Sequence, residues 1–152
     1  MNTETGFESA QVLLVEDSED DVELTLAALE DSKVRMDVHV VSDGAAAMRF
    51  LLNEAEFRDK PRPDLVLLDL NLPIMDGREV LQAIRDDPDL TGMPVVVLTT
   101  SQNEEDIVKM YSLHANCYIT KPVDFDQFTR VIRQVEGFWF QLVKLPSKKR
   151  ER

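Results

Sequence analysis

Cysteine is nearly missing from this chain of 152 residues: Cys117 stands alone. An internal disulfide is therefore impossible, and the residue reads as a small buried hydrophobe in a protein of a reducing compartment. Basic side chains are also scarce. Against 29 acidic residues there are 17 basic ones, giving a net charge of -12. Such a surface repels phosphate backbones and anionic lipid, which argues against direct binding of nucleic acid or membrane. No apolar run approaches the roughly 18 residues that a membrane span needs. The stretch from Met1 to Ala10 is polar and acidic, without the basic start and apolar centre of a secretory leader, so a cytoplasmic protein is expected. Internal repeats and low-complexity segments are absent too. The single basic run, Lys148 to Arg152, reads as a terminal tail.

What is present is a set of short apolar runs separated by polar punctuation. Residues 11–15, 38–41, 65–68, 95–98 and 117–120 each have the length and composition of a buried strand. Between them, Val22, Leu26 and Leu29, then Met48, Leu51 and Leu52, then Val80, Leu81 and Ile84, and then Ile107, Val108 and Tyr111 recur at helical spacing. The stretch from Glu54 to Pro63 is charged, holds two prolines and reads as a surface loop. Alternation of strand and helix with short links predicts an α/β fold, a five-stranded parallel sheet covered on both faces. The final predicted helix starts at Phe125 and extends to Leu145, with Phe138, Trp139, Phe140, Leu142 and Val143 exceeding what one stripe can bury. A homodimer through Phe138, Trp139 and Leu142 is expected.

The chemistry gathers at the ends of the strands. The run Leu65 to Leu68 is wholly apolar, yet it ends in Asp69, at the carboxyl edge where open α/β sheets bind ligands. A carboxylate held there needs a cation or a reaction to justify it. The first strand runs into Glu16 and Asp17. The acids after them, Glu19, Asp20 and Asp21, suit the N-terminus of the following helix, but dipole complementarity does not explain Glu16 and Asp17 so readily. Glu16, Asp17 and Asp69 together would repel one another without a hard cation. All-oxygen ligands favour Mg2+ or Mn2+, with the backbone carbonyl of Asn71 as a further donor. Two more strand ends supply the Thr99 hydroxyl and the Lys121 ammonium. A carboxylate nucleophile, a divalent cation, a hydroxyl and a lysine match the needs of phosphoryl transfer, with Asp69 as acceptor. His39 and His114 have no ligand cluster near them in sequence.

With these residues in order, the chain resembles the receiver domains of two-component response regulators. Glu16-Asp17 is similar to the family's acidic pair, Asp69 to its phosphoacceptor, Thr99 to its hydroxyl residue, Lys121-Pro122 to its lysine-proline, and Leu72 to Gly77 to its loop. The resemblance implies a flavodoxin-like (βα)5 three-layer sandwich over residues 11–145, between an N-terminal tail (1–10) and the basic tail (146–152). It further implies Mg2+ dependence, a histidine kinase as phosphoryl donor, a cis bond before Pro122, and Thr99 and Tyr118 as switch residues. Residues 97–101, 116–121 and Phe138-Trp139 resemble more narrowly the stand-alone regulators paired with bacterial phytochrome kinases. Thr100 departs from the Ala or Gly of many receivers, and Asn71 and Ser101 occupy positions at which the family tunes acyl phosphate hydrolysis.

Three functions fit such a chain. The first is a switch whose phosphorylation alters a protein-binding face. The second is a magnesium phosphatase with an aspartyl-phosphate intermediate, resembling the haloacid dehalogenase group. That group needs a second Asp two residues after the nucleophile as general acid/base, and Asn71 cannot shuttle a proton. The third is a receiver-like module that binds partners without phosphorylation, against which the intact Asp17, Asp69, Thr99 and Lys121 argue.

Overall fold

Each of the five apolar runs forms a strand, and all pair in parallel. The structure, a computed structural model, describes residues 9–30, 35–100, 103, 107, 109 and 112–132. The strands are β1 (Ala10–Val15), β2 (Met36–Val41), β3 (Leu65–Asp69), β4 (Val95–Thr99) and β5 (Cys117–Thr120), in the order β2-β1-β3-β4-β5. Every residue of β3 and β4 is buried, as a strand covered on both faces requires. The helices are α1 (Glu19–Glu30), α2 (Gly44–Leu51), α3 (Gly77–Asp86) and α4 (Phe125–Ile132). Of residues 104–112, where a helix is predicted on Ile107, Val108 and Tyr111, the structure describes Ile107, Lys109 and Ser112, which are helical. The continuation of the final helix to Leu145 lies outside the described residues, as do the two tails except for Ser9 and Ala10.

Period-two alternation divides the core into two layers. Leu13, Val15, Val66, Leu68, Val95 and Val97 face the side covered by Phe50 and Leu51 of α2 and Val80, Leu81 and Ile84 of α3. Val12, Leu14, Leu65, Leu67, Val96, Leu98, Cys117 and Ile119 face the side covered by Ala28 and Leu29 of α1 and Phe128 of α4. The lone cysteine is thus a buried core residue, as its chemistry suggests.

Polar residues set the helix starts. Ser18 Oγ accepts the Asp21 N–H at 3.2 Å at the head of α1, and Asp43 Oδ1 accepts the Ala46 N–H at 2.7 Å at the head of α2. Asp76 caps α3, its carboxylate accepting the Arg78 N–H at 2.6 Å while Glu79 Oε1 accepts the Asp76 N–H at 2.9 Å. The loop predicted over Glu54 to Pro63 contains a short 3-10 turn, Ala55–Phe57, whose Phe57 ring packs on Phe50 with centroids 5.3 Å apart. Its aromatic anchor gives this charged segment a fixed course.

Candidate functional site

β1 continues outward into β2 on one side and is flanked by β3 on the other, so the winding reverses between β1 and β3. At such a switch point the two carboxyl ends open onto a shared crevice. Val15 pairs with Leu68, which sets Glu16 beside Asp69 where the two strands end. Asp69 in turn pairs with Leu98, and Thr99 with Thr120, so the ends of β4 and β5 complete the rim.

Four predicted residues meet here. Oxygens of Glu16, Asp17 and Asp69 all lie within 4.8 Å of one another. The Lys121 ammonium reaches Glu16 Oε1 at 3.0 Å and Asp69 Oδ1 at 3.4 Å. Glu16 and Asp69 are only 1% and 3% exposed, whereas Asp17 is open to solvent. Burial pushes the Asp69 carboxyl above the usual carboxylate range, with Lys121 and the Asn71 N–H at 3.4 Å pulling it back. Burial likewise raises Glu16, against the hydrogen bond from Lys121. Burial works against the charge on Lys121, but its bonds to Asp21 and Glu16 and the nearby Asp69 outweigh this and hold it above the ordinary lysine value.

The donor set fits a hard divalent cation. It consists of three carboxylates with no thiolate or imidazole, two of them shielded from water and short of countercharge. An open cleft of about 460 Å³, lined by Glu16, Asp17, Glu19, Val22, Glu23, Val40 and Ser42, leads to the acidic pair from the side of α1.

The remaining predicted residues frame this centre. Thr99 ends β4, is 1% exposed, and its carbonyl accepts the Lys121 N–H at 2.8 Å. Tyr118 is half-buried on β5, packed against the core layer of α2 and α3 and paired in register with Val97. The Lys121-Pro122 peptide bond is cis. Asn71 contributes its N–H to Asp69. Thr100 is exposed beside the site. His39 and His114 stand apart from it, the first bonded through Nε2 to Gln11 Oε1 at 2.8 Å, the second at a left-handed turn with φ 65. Ser101, Phe138, Trp139 and Leu142 lie outside the described residues.

Three contributors escape the sequence reading. Asp21, assigned there to the helix dipole, also accepts from the Lys121 ammonium at 2.9 Å. Gln127 of α4 clamps the segment that carries Lys121, accepting the Thr120 N–H at 3.1 Å and donating to the Thr120 carbonyl at 3.2 Å. Gly77 packs directly over the Asp69 carbonyl, where a Cβ would collide with it, and donates its N–H to the Leu70 carbonyl at 3.0 Å. Its place after Asp76 points to a turn, but not to contact with the strand that ends in Asp69.

The profile of the response regulator receiver domain matches residues 12–133. The chain belongs to the receiver domain family. Response regulator Rcp1 of Synechocystis sp. is 47% identical over 136 residues, which cover 90% of this chain and 92% of that protein. Among solved structures, the Mn2+-bound form of Rcp1 superposes with a TM-score of 0.74 at 48% identity, covering 91% of this receiver and 99% of its own chain. The phosphorylated cyanobacterial phytochrome response regulator RcpA gives 0.76 at 48% identity, covering 92% and 100%. The bacteriophytochrome response regulator RtBRR gives 0.80 at 46% identity, covering 92% and 85%. The flavodoxin-like receiver fold expected from the sequence is the fold observed, and this response regulator has close relatives in phytochrome signalling.

Proposed function

We propose that Asp69 accepts a phosphoryl group from a histidine kinase and that this modification switches a protein-binding face. The observation that carries the reading is the convergence of Glu16, Asp17, Asp69 and Lys121 from three strand ends. A carboxylate oxygen of Asp69 attacks phosphorus in line, forming the P–O bond of an acyl phosphate as the bond from phosphorus to the donor nitrogen breaks and its electron pair returns to the imidazole. Lys121, 3.4 Å from Asp69, donates to a phosphoryl oxygen, and Thr99 offers its hydroxyl to another. Glu16, Asp17, Asp69 and the Asn71 carbonyl would hold Mg2+ or Mn2+, which supplies neutralisation of phosphoryl charge when bound. That the Mn2+-bound Rcp1 and the phosphorylated RcpA share this fold at 48% identity supports the metal and phosphoryl parts of the reading.

The donor by this reading is a phytochrome-type kinase in the cytoplasm, and the output is a change of partner through Thr99 and Tyr118. Among the described residues no helix is long and apolar enough to cross a membrane. Turnover on external phosphoesters is not part of the proposal, because the Asn71 amide cannot act as the general acid/base that a phosphatase needs at that position. The apolar excess at Phe138, Trp139 and Leu142 supports a homodimer through the last helix. Solution mass of Trp139→Glu with Leu142→Glu tests that part: monomers are expected, and an unchanged dimer would refute it.

Incubation with acetyl phosphate and Mg2+, followed by intact mass, tests the main reading. Wild type should gain one phosphoryl group and Asp69→Asn none. Equal modification of both would move the acceptor elsewhere, and no modification of either would favour a module that works without phosphorylation.

A further inference from the structure

The ammonium of Lys121 has three N–H groups, and two of its hydrogen bonds go to carboxylates other than Asp69. Asp21 Oδ2 is the nearest at 2.9 Å, Glu16 Oε1 follows at 3.0 Å, and Asp69 Oδ1 is last at 3.4 Å. The two competitors differ in what release would cost them. The Glu16 side chain is 0% exposed, so losing Lys121 would strand a charge away from water. The Asp21 side chain, on the first turn of α1, is 31% exposed and can exchange the ammonium for water. Period-two alternation explains why α1 is involved at all. Glu16 follows Val12 and Leu14, Asp69 follows Leu65 and Leu67, and Lys121 follows Cys117 and Ile119, all residues of the layer that α1 and α4 cover.

We infer that Asp21 is a positioning residue that holds Lys121 partly away from Asp69 in the resting protein and releases it when Asp69 carries a phosphoryl group. The inference rests on the reading of Asp69 as acceptor. Phosphorylation brings oxygens with nearly two negative charges into reach of the ammonium, and the bond to Asp21 is the one that yields. Asp21 thereby opposes the phosphorylated state, and the loss of its countercharge on release links α1 to the condition of the pocket.

The test compares wild type, Asp21→Asn, Asp21→Ala and Asp20→Asn with acetyl phosphate at saturating Mg2+, reading the phosphorylated fraction by intact mass and its decay after removal of the donor. In the reaction the bond from phosphorus to the acetyl oxygen breaks, acetate leaves with the electron pair, and the bond from phosphorus to Asp69 forms. Asp20→Asn, at an exposed residue one position earlier, removes the same charge without touching the contact to Lys121. Both Asp21 variants should slow decay of the phosphorylated form by roughly two- to five-fold, the scale of a partly exposed ion pair, and Asp20→Asn should match wild type. Unchanged or faster decay in the Asp21 variants would overturn the inference, and so would an equal effect of Asp20→Asn. Failure of wild type to take up phosphoryl would instead strike the reading of Asp69.

Discussion

Lys121 donates to Glu16 at 3.0 Å, joining two residues 105 positions apart in the chain and neutralising a carboxylate with no access to water. Replacement by Met would leave that charge buried without a partner, a loss on the order of 3 kcal/mol or more. Urea denaturation of Lys121→Met at neutral pH should show this loss, and part of it should return as the pH is lowered and Glu16 takes up a proton. A variant within about 0.5 kcal/mol of wild type, the ordinary range for surface substitutions, would show that the contact does not matter for the fold.

Asp69 sits within 4.8 Å of two other acids. At an effective dielectric near 20 each such pair repels by about 3 kcal/mol, and Lys121 cancels much of it. Asp69→Asn should therefore stabilise the metal-free protein by about 1 kcal/mol, a rise in Tm of roughly 3 °C for a domain of this size. A lower Tm would contradict the view that function here works against stability.

Acid should weaken metal binding earlier than an ordinary carboxylate site would predict. Burial, the main cause, raises Asp69 and Glu16 above their usual range. A raised carboxyl pKa favours the fold fully below its unfolded value, near 4 for both residue types, and that contribution is lost as the pH rises through the higher folded value. A divalent cation at this site would need the ionised forms, so protons would compete with it across the same interval. Calorimetric titration with Mn2+ should show affinity falling from a pH clearly above 4, and an affinity constant down to about pH 4 would contradict this.

Ile74, in the loop between Asp69 and α3, is 81% exposed and has φ 68, a left-handed conformation that a β-branched residue adopts only under strain. Ile74→Gly should relieve this strain, which for an L-residue is about 1–2 kcal/mol, against a chain-entropy cost of about 0.5–1 kcal/mol. A small gain in stability is expected by thermal denaturation, and a clear loss would mean that the side chain has contacts that outweigh the strain.

Arg85 spends all five N–H groups on neutral acceptors: the carbonyls of Thr91, Met93 and, twice, His114, and the Asn116 amide oxygen at 3.2 Å. Burial lowers its pKa. A lysine cannot span this fork, so Arg85→Lys should cost about 2 kcal/mol through unmet carbonyls. Chemical denaturation measures it, and near-wild-type stability would show that water replaces the guanidinium freely.

How much of this was readable beforehand follows from which signals are local. The buried strands announced themselves through unbroken apolar runs, and all five lie where residues 11–15, 38–41, 65–68, 95–98 and 117–120 suggested, with β1 beginning one residue and β2 two residues earlier. Glu16, Asp17, Asp69, Thr99 and Lys121 stood out as a set, because acids, a hydroxyl and a lysine at the ends of buried runs match one chemistry although each alone has a local explanation. Asp21 had one, the dipole of α1, and so its bond to Lys121 100 residues away was hidden. Gln127 was hidden for the same reason, as a polar residue on an amphipathic helix. The four acceptors around Arg85 come from loops whose mutual approach depends on tertiary packing, which no spacing in the sequence encodes.

The central claim is that a carboxyl oxygen of Asp69 forms an acyl phosphate. Borohydride reduction of the protein after treatment with acetyl phosphate and Mg2+, followed by peptide mass mapping, tests it most directly. Homoserine in place of aspartate at position 69, and only in samples that received the donor, is the predicted result. Homoserine at position 17 or 21, or a phosphorylated protein that yields none, would contradict the account.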